Sequence, residues 1–510
     1  MKPRKLPSWR PLEQQVKRQA SSLPSPCPRS ARPQPPTSTL YRCPSPAVAR
    51  TQPSLPSIRS YSSVPASQLL FGQPVHETHP HLLQAGELTP GITAQEYHDR
   101  RSRLLSSLPP NSAVLLPSAS VQYRSGAVFH AFRQETGFLY LTGFSEPESL
   151  ALLVKTGPEE GDFTFYLWCR PKDPKAEQWH GPWSGIDAAR DVWNADEALD
   201  FARVEQGLVE ALKGVSKIYT DGELSKYGVP TKIGNMLRQV APGISIAPLR
   251  PVLNTIRALK SPAEIACMRK AGQASGRALT NAMRRGWKYE KDIAAFLDYE
   301  YHQAGLDGPA YIPVIAGGPK ASLIHYTLNN GSLRDDELIL VDAGGEYGTY
   351  ITDITRTWPA SGKFSPAQRD LYEAVLKAQR SSVSLCRASA NVTLDKLHSI
   401  TETTLRDQLQ RLGFEVGGNA MDLLFPHHVG HYIGLDVHDV PGYSRGITLR
   451  EGHCVTVEPG IYVPDDERFP KHFRGLGVRI EDSIAVGDDN PFTLTTEAVK
   501  EVVDIEALRD

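Results

Sequence analysis

The chain has 510 residues, and its 56 lysines and arginines against 57 aspartates and glutamates give a formal net charge of −1. This balance argues against a protein that coats nucleic acid, because such proteins carry a marked basic excess. The chain is 40% hydrophobic with a mean hydropathy of −0.34, and no run reaches the roughly 18 apolar residues that a membrane-spanning helix requires. Six cysteines without a CxxC pair do not resemble a disulfide scaffold or a zinc ribbon.

The first 65 residues differ in charge from the rest of the chain. They contain eleven basic residues and a single acid, Glu13, with fourteen prolines and twelve serines, which leaves 45 basic and 56 acidic residues for the remainder. Such a composition cannot build a packed core, so we expect residues 1–61 to be disordered. Leaders rich in arginine and serine and poor in acids are typical of mitochondrial transit peptides. A basic tail that contacts acidic partners is the alternative.

A short motif lies where this composition changes. The run Arg59-Ser60-Tyr61 resembles a matrix-processing site, with an arginine two residues before the first cut. On that resemblance the first cut leaves Tyr61 at the N-terminus, and removal of this one bulky residue exposes Ser62. We expect residues 62–90 to form a linker or an extended arm.

Residues 91–250 carry alternating helix and strand signals, which predict an α/β domain. Thr93 and Glu96 form a candidate capping box for a helix through about Leu108, because Glu96 can reach back to the cap amide. Strand-like or aromatic-rich runs follow at Ala113–Leu116, Gly137–Phe144, Ser149–Lys155 and Asp162–Cys169.

Residues 251–510 predict a second, α+β domain. Two helix starts have a serine cap, a proline at the first position and Glu or Gln at the third, namely Ser261–Glu264 and Ser365–Gln368. The two helices should run to about Met283 and Leu385. Strand-like runs are Leu338–Asp342, Tyr350–Trp358, Cys454–Tyr462 and Gly477–Val486.

Acids interrupt these apolar strands where alternation predicts buried apolar residues. They are Asp342, Asp353, Glu458 and Glu481. Burying one ionised carboxylate costs several kcal/mol unless it is paired or coordinated, so four of them need a shared positive partner. Arg356 and Arg479 can pair two of the acids at most. A pair of metal ions resolves the conflict, because oxygen ligands suit Mn or Mg, and one imidazole extends the choice to Co, Fe or Zn.

The imidazole has an evident source in a histidine-rich run. Four histidines lie within twelve residues, His427, His428, His431 and His438. Each of them alone is more simply explained as a satisfied surface or core side chain. Their clustering, with glycines and apolar residues between them, favours a site.

Five of these residues, in their order and strand contexts, resemble the ligands of the pita-bread metallopeptidases, peptidase family M24. This family comprises methionine aminopeptidase, prolidase and aminopeptidase P. The five are Asp342, Asp353, His431, Glu458 and Glu481. The runs Asp342–Tyr347, Asp353–Pro359 and Gly434–Asp439 are similar to the aminopeptidase P branch, and Phe132–Phe144 is similar to its N-terminal domain. With the leader, the chain resembles the mitochondrial members of that branch.

The resemblance implies a fold and a set of roles. The fold would be an α/β N-terminal domain of the creatinase and aminopeptidase P type followed by an α+β pita-bread catalytic domain. Asp353 and Glu481 would bridge two divalent metal ions, with Mn2+ favoured among Mn, Co, Zn and Fe. Asp342 would chelate one ion, and His431 with Glu458 would complete the other. Two cations lower the pKa of a water and create a nucleophile at neutral pH.

Further roles follow from the same resemblance. Glu458 is also a candidate general base, and His325 and His438 resemble substrate-facing imidazoles that stabilise the oxyanion or the scissile carbonyl. Four other residues are candidates for the surroundings of the site. His427 would support the ligands, Arg479 would orient a ligand carboxylate, Tyr462 would lie near the site or serve packing, and Arg133 would reach the active site of a neighbouring subunit.

The implied function is a metal-dependent aminopeptidase of mitochondria, in the matrix or peripheral to the inner membrane. It would act on peptide or protein N-termini, remove one residue from imported proteins after presequence cleavage, and form a homo-oligomer, a dimer or a tetramer. A Xaa-Pro aminopeptidase that acts on peptides is the first alternative. A pita-bread binding module without catalysis is the second. Both this module and a metal-independent, creatinase-like hydrolase are disfavoured because all five ligands are retained.

Overall fold

The computed structural model describes residues 69–222 and 231–510. The predicted transit peptide, residues 1–61, and the processing motif at Tyr61 lie outside these residues, as do residues 62–68 of the predicted arm. Within the described ranges no helix is both long and apolar enough to cross a membrane.

The first part of the described chain contains a mixed six-stranded sheet with helices around it. Its helices are Ala94–Ser106 (α1), Thr136–Thr142 (α2), Pro174–His180 (α3), Gly185–Asp191 (α4), Val204–Ala211 (α5), Lys232–Val240 (α6) and Arg250–Arg257 (α7). Its strands are Glu87–Thr89 (β1), Ile92–Thr93 (β2), Ser112–Pro117 (β3), Tyr123–Ser125 (β4), Val128–Phe129 (β5), Leu150–Lys155 (β6), Phe163–Cys169 (β7), Glu197–Asp200 (β8), Lys217–Tyr219 (β9) and Ser245–Ala247 (β10). The sheet order is β10-β9-β3-β6-β7-β8, and β6 pairs antiparallel with both β3 and β7.

The cap of α1 confirms part of one expectation and corrects the rest. Thr93 caps α1 by accepting a hydrogen bond from the backbone N–H of Glu96 at 3.2 Å. The Glu96 carboxylate, however, binds the side chains of Arg100 and Ser261 at 2.6 and 2.7 Å. The prediction that Glu96 completes a capping box was therefore wrong, because these partners hold its carboxylate at a domain contact. The aromatic-rich run after Glu135 is the buried helix α2.

The second part consists of small antiparallel sheets covered by long helices. Its helices are Pro262–Met283 (α8), Glu290–Gln303 (α9), Pro366–Ser384 (α10), Leu394–Arg411 (α11), Ala420–Leu424 (α12) and Val502–Ala507 (α13). Its strands are Gly308–Pro309 (β11), Val314–Gly317 (β12), Leu338–Asp342 (β13), Gly345–Tyr347 (β14), Tyr350–Ile351 (β15), Thr355–Pro359 (β16), Cys454–Val457 (β17), Gly460–Tyr462 (β18), Gly477–Arg479 (β19), Asp482–Val486 (β20) and Pro491–Thr493 (β21). The main sheets are β12-β13-β16 and β17-β20-β21. The capping boxes predicted at Ser261 and Ser365 are both confirmed.

Three of the four predicted strands in this part are interrupted, each at an acid. The breaks contain Asp353, Glu458 and Glu481. At these positions the backbone bonds outside the regular ladder, since Asp353 N–H donates to Ser483 Oγ at 3.1 Å and Glu481 N–H to the Thr355 carbonyl at 3.1 Å. The expectation that Asp353 lies in an unbroken strand was wrong. Each break leaves an acidic side chain free to turn toward a common centre.

The two parts of the described chain share one buried core. A cluster of buried apolar residues contains Leu104 and Phe138 from the first part with Ile433 and Cys454 from the second. Polar groups join it at the same contact. The fully buried Arg100 donates to the hydroxyl of Tyr350 at 3.1 Å, and that hydroxyl donates to Glu264 at 2.9 Å. Arg100 also lies over the ring of Tyr140, at 4.3 Å from its centroid.

Candidate metal centre

The strand breaks bring the predicted ligands together. One ligand atom from each of Asp353, His431 and Glu481 lies within 4.8 Å of the others. His431 Nε2 is 3.4 Å from Asp353 Oδ2 and 3.6 Å from Glu458 Oε1. These separations are longer than a good hydrogen bond. They are of the order expected for two donors that each lie about 2.0–2.2 Å from the same ion.

The fifth predicted ligand, Asp342, joins the group through a tyrosine. The hydroxyl of Tyr311 lies 2.7 Å from Asp342 Oδ1 and 2.6 Å from Asp353 Oδ1. Asp342 ends β13 and is paired across the sheet with Thr355 of β16, two residues after Asp353. Tyr311 was not predicted from the sequence.

The hydrogen bonding of His431 prepares one ring nitrogen for coordination. Its Nδ1 lies 3.0 Å from the carbonyl oxygen of Tyr432, which can only accept, so Nδ1 carries the proton of the neutral ring. The lone pair of Nε2 then points toward Asp353 and Glu458. This is the usual arrangement of a metal-ligating histidine, in which the second nitrogen fixes the tautomer.

Three of the carboxyl groups have raised pKa values, because their surroundings disfavour the ionised form. Burial, with the charge of Asp353, raises the pKa of Asp342 to about 6. Burial also raises the pKa of Glu458 to about 7, although His431 and Arg479 oppose it. The pKa of Glu481 lies well above its ordinary value because it is buried among Asp353, Glu458 and Asp342.

The other two ligands form the favourable pair of the cluster. Burial alone would raise the pKa of Asp353, but the hydrogen bond and charge of His431 hold it below its ordinary value. Burial would lower the pKa of His431, yet Asp353 and Glu458 raise it to about 9. Without a metal ion His431 is therefore protonated, and its charge compensates only part of the acidic charge. Coordination through Nε2 would release this proton and leave the neutral ring described above.

The donor set fits divalent cations. Among the described residues, Glu481 Oε1 is a buried carboxylate oxygen that has no hydrogen-bond partner. Four carboxylates share the centre with one imidazole and Arg479, so negative charge is left over. Carboxylate-rich sets with one imidazole suit Mn, Fe, Co or Zn. Divalent cations would satisfy both the orphan oxygen and the excess charge.

Arg479 joins several members of the cluster. Its Nη2 donates to Asp342 Oδ2 at 2.7 Å, its Nε to Thr355 Oγ1 at 3.0 Å, and Thr355 Oγ1 donates to Glu481 Oε2 at 2.7 Å. Arg479 thus orients one ligand carboxylate directly and another through a threonine. Arg356 binds no carboxylate of the cluster, because its Nη2 donates to Asp482 Oδ1 at 2.7 Å, but its Nη1 donates to the backbone carbonyl of Glu481 at 2.5 Å.

His427 and Tyr462 form a chain with Arg479. Arg479 Nη1 donates to the Tyr462 hydroxyl at 2.9 Å, and this hydroxyl lies 2.8 Å from His427 Nε2. The other ring nitrogen, Nδ1, lies 2.9 Å from the carbonyl of His428 and 3.8 Å from Glu458 Oε2. Burial and the nearby Arg479 lower the pKa of His427 to about 4, so the ring is neutral. Tyr462 therefore makes polar contacts near the site as well as packing.

His325 and His438 lie at the exposed side of the cluster. The ring of His438 is 4.2 Å from that of His431, centroid to centroid. Burial and the neighbouring His431 lower the pKa of His438, and the charge of His325 adds to this effect. Both side chains are exposed, so both are available to a ligand.

Arg133 makes contacts within its own subunit. Its Nε lies 3.1 Å from Glu346 Oε2, its Nη2 donates to the Leu435 carbonyl at 2.5 Å, and its Nη1 lies 3.7 Å from Asp436 Oδ1. That Arg133 reaches the active site of a neighbouring subunit stays a prediction. Two carboxylates of its own chain hold the guanidinium at the contact between the two parts.

Two residues of the site were missed at the sequence level. Thr355 follows Asp353 by two residues, the spacing that predicts a shared face in an unbroken strand, so this spacing was a usable signal. Tyr311 lies 31 residues before Asp342 in a segment without regular structure. No short-range pattern marks it.

The chain matches two family models and is similar to known peptidases. Residues 266–488 match the model for metallopeptidase family M24, and residues 97–219 match that for the aminopeptidase P N-terminal domain. The chain is 43% identical to intermediate cleaving peptidase 55 of Saccharomyces cerevisiae over 449 residues, covering 85% of this chain and 88% of that protein. It is 36% identical to human Xaa-Pro aminopeptidase 3, covering 86% and 90%.

Two further comparisons add a location and a structure. The chain is 34% identical to an Arabidopsis thaliana protein, intermediate cleaving peptidase 55, mitochondrial, covering 90% of this chain and 91% of that protein. The crystal structure of Icp55 from S. cerevisiae, lacking its N-terminal 58 residues, superposes with a TM-score of 0.78 at 42% identity. The superposition covers 83% of this chain and 99% of that one.

Proposed function

The chain belongs to metallopeptidase family M24, and from this premise we propose that it removes one N-terminal residue from imported mitochondrial proteins after their presequences have been cut. It is an aminopeptidase that depends on divalent metal ions, and the non-catalytic binding module is thereby dropped. The observation that carries the proposal is the cluster of five ligand residues, with Glu481 Oε1 buried and unpaired among them.

We propose that two divalent ions would be held here, both of them by Asp353 and Glu481, one also by Asp342, and the other also by His431 and Glu458. Mn2+ is the favoured ion, since the set is rich in oxygen donors. When bound, such ions lower the pKa of water and polarise carbonyl oxygens, which supplies the nucleophile and part of the electrophilic activation.

The chain's own residues then supply proton transfer and orientation. Glu458 would take a proton from the water that attacks the peptide carbonyl and pass it to the amine that leaves as the C–N bond breaks, a step for which a carboxyl group close to the reacting atoms is suited. His325 and His438 lie at the exposed side of the cluster, where an imidazole N–H can donate to the carbonyl oxygen of the bound peptide. The neutral ring of His427 is held by the Tyr462 hydroxyl and lies beside Glu458, with its Nδ1 3.8 Å from Oε2, so it supports the position of that carboxylate.

The processing role is tested by N-terminal proteomics of mitochondria with and without the enzyme. Matrix proteins should begin one residue early in the deletion strain and regain the shorter form when the enzyme is restored. A Glu458→Gln variant, which keeps the shape of the side chain, should not restore it. Identical N-termini in both strains would contradict the proposal.

A Xaa-Pro aminopeptidase acting on peptides is the second candidate, favoured by the similarity to human Xaa-Pro aminopeptidase 3. Purified enzyme offered Tyr-Ser-Ser and Xaa-Pro-Pro peptides separates the two by the ratio of kcat/KM. A higher value for Tyr-Ser-Ser supports the processing role, and a higher value for Xaa-Pro-Pro supports the alternative.

Other parts of the proposal concern the whole molecule. We place the boundary between the N-terminal and catalytic domains at residues 250 and 251, which is consistent with the two family matches. We propose a homo-oligomer, located in the matrix or on the inner membrane. Metal analysis of protein purified without added ions, together with light scattering, tests the ion and the subunit number.

A further inference from the structure

The segment that carries His325 is held by a buried acid outside the metal centre. Glu290, the first residue of α9, has a side chain with no exposed surface. Its Oε1 accepts from Gly317 N–H at 3.1 Å and pairs with Lys320 Nζ at 2.5 Å. Its Oε2 accepts from the Tyr326 hydroxyl at 2.9 Å and from Gly331 N–H at 2.7 Å. One carboxylate therefore binds both ends and the middle of the segment 317–331.

Two of these contacts lie close to His325 itself. Tyr326 is its immediate neighbour, and the backbone joins Tyr326 to Lys320 through two turns, Tyr326 N–H to the Leu323 carbonyl at 3.1 Å and Leu323 N–H to the Lys320 carbonyl at 2.9 Å. Glu290 binds the side chains at both ends of this hydrogen-bonded stretch, Lys320 and Tyr326. A shift of the backbone around His325 would therefore disturb the side-chain contacts of Lys320 and Tyr326 with Glu290.

The surrounding chain fits the carboxylate closely. A Cβ at Gly331 would overlap Lys320 Nζ and lie 2.9 Å from both carboxylate oxygens of Glu290, so a side chain there would displace the ammonium group and disturb the acid that it pairs with. Asn329 ties the same segment to β12, since its Oδ1 accepts from Ile315 N–H at 2.9 Å and its Nδ2 donates to the Pro313 carbonyl at 2.7 Å. The segment is fixed at its base, whereas His325 is exposed.

We propose that Glu290 is a positioning residue that holds His325 where it meets the substrate carbonyl. The inference rests on the role given to His325 under the proposed function. A carboxylate that accepts four hydrogen bonds, one of them from an ammonium group, keeps its charge when buried and fixes its donors strongly. Small displacements of a group that contacts the transition state reduce the rate by up to about 100-fold.

The test is a double-mutant cycle in the full-length enzyme loaded with Mn2+, with a Tyr-Ser-Ser peptide as substrate. In Glu290→Gln one oxygen becomes an NH2 group, which cannot accept from the two donors that face it. We expect kcat to fall about 10- to 100-fold and KM to change less than about threefold. In a His325→Ala background the same substitution should lower kcat less than about threefold, because the group it positions is absent.

Glu146→Gln is the matched control. Glu146 is also a buried carboxylate that accepts a backbone hydrogen bond, from Ser184 N–H at 2.9 Å, but it lies in the N-terminal part. Its kcat should stay within about twofold of the wild type. If Glu290→Gln does not fold, Tyr326→Phe, which removes one of the four donors, takes its place with a smaller loss that should likewise vanish in the His325→Ala background.

Equal losses in both backgrounds, or a kcat for Glu290→Gln that matches the Glu146→Gln control, would overturn the inference. Melting temperature and bound metal are measured for every variant, so that loss of fold or of ions is recognised. If His325→Ala itself leaves kcat unchanged, the role of His325 in the proposed function fails as well. If His325→Ala lowers kcat and Glu290→Gln does not, only the present inference fails.

Discussion

Glu481 and Asp482 are consecutive buried acids with opposite surroundings. Asp482 binds Arg356 at 2.7 Å, Lys500 at 2.5 Å, and the side chains of Gln379 and Thr495 at 2.7 Å each. Burial would raise the pKa of Asp482, but the charges of Arg356 and Lys500 hold it far below its ordinary value. Glu481 has one oxygen without a partner, and its pKa is raised.

The difference separates a structural acid, Asp482, from a predicted metal ligand, Glu481. Both side chains are almost completely buried, so burial alone does not distinguish them. What distinguishes them is whether the protein itself supplies the compensating charge. For Asp482 the protein supplies two cations, Arg356 and Lys500. For Glu481 we expect bound metal ions to supply the compensating charge.

The substitution Glu481→Gln is the strongest test of this difference between Glu481 and Asp482. We expect kcat/KM to fall at least about 1000-fold, because metal activation is worth several kcal/mol of transition-state stabilisation. The metal-free protein should be as stable as the wild type or more so, since the raised pKa of Glu481 makes folding carry the cost of burying or protonating this carboxyl group, and the amide carries no such cost. Peptide hydrolysis and chemical unfolding in the presence of chelator measure the two effects. A metal-free variant that unfolds at clearly lower denaturant would contradict the interpretation.

Asp482→Asn should show the reverse pattern. Removing the partner of two buried cations leaves them uncompensated, so the free energy of unfolding should fall by about 3 kcal/mol. Metal content should remain close to that of the wild type. Guanidinium unfolding and elemental analysis measure both quantities. An unchanged unfolding midpoint would show that Arg356 and Lys500 do not depend on Asp482.

Metal addition should stabilise the protein through Glu481 and not through Asp482. At a free ion concentration near 100 times Kd, binding to the folded state adds about 2.7 kcal/mol of stability. Differential scanning calorimetry of metal-free wild type, titrated with Mn2+, should show a rising Tm. The rise should persist in Asp482→Asn and shrink in Glu481→Gln. Equal rises in both variants would remove Glu481 from the ligand set.

The smallest effect is expected one step further from the metal, at Tyr462→Phe. Loss of the hydroxyl between Arg479 and His427 should lower kcat about 10-fold, as for other groups that support ligands, with about 1 kcal/mol of stability lost. Tyr372→Phe is the control, because the buried Tyr372 hydroxyl donates to the Lys500 carbonyl at 2.8 Å, outside the centre. The two variants should lose similar stability, but only the first should lose activity.

The sequence predicts the helix starts and strand positions of the catalytic part well, because these depend on short-range patterns. Acids in apolar strands are likewise visible in a single chain, and they indicated Asp353, Glu458 and Glu481. The breaks in those strands were not predicted, since they depend on hydrogen bonds to distant partners such as Ser483 for Asp353. The alternation of residues within one strand does not indicate these long-range hydrogen bonds.

Residues that act through tertiary contacts escaped prediction for the same reason. Tyr311 approaches Asp342 and Asp353 only after the chain folds back, and Glu290 meets a segment up to 41 residues away. From the sequence, Glu481 and Asp482 look alike as acids beside a strand. Their partners, and therefore their functions, differ only in three dimensions.

The buried contact between Arg100 and Tyr350 affects how the molecule comes apart. Arg100 belongs to the first part and Tyr350 to the second, and both lie in an apolar core built from both parts. Separating the parts would expose a buried guanidinium together with that core. The two parts therefore form a single cooperative unit. If the second part were expressed alone, it would expose the apolar surface that the first part covers, and it would not behave as an independent module.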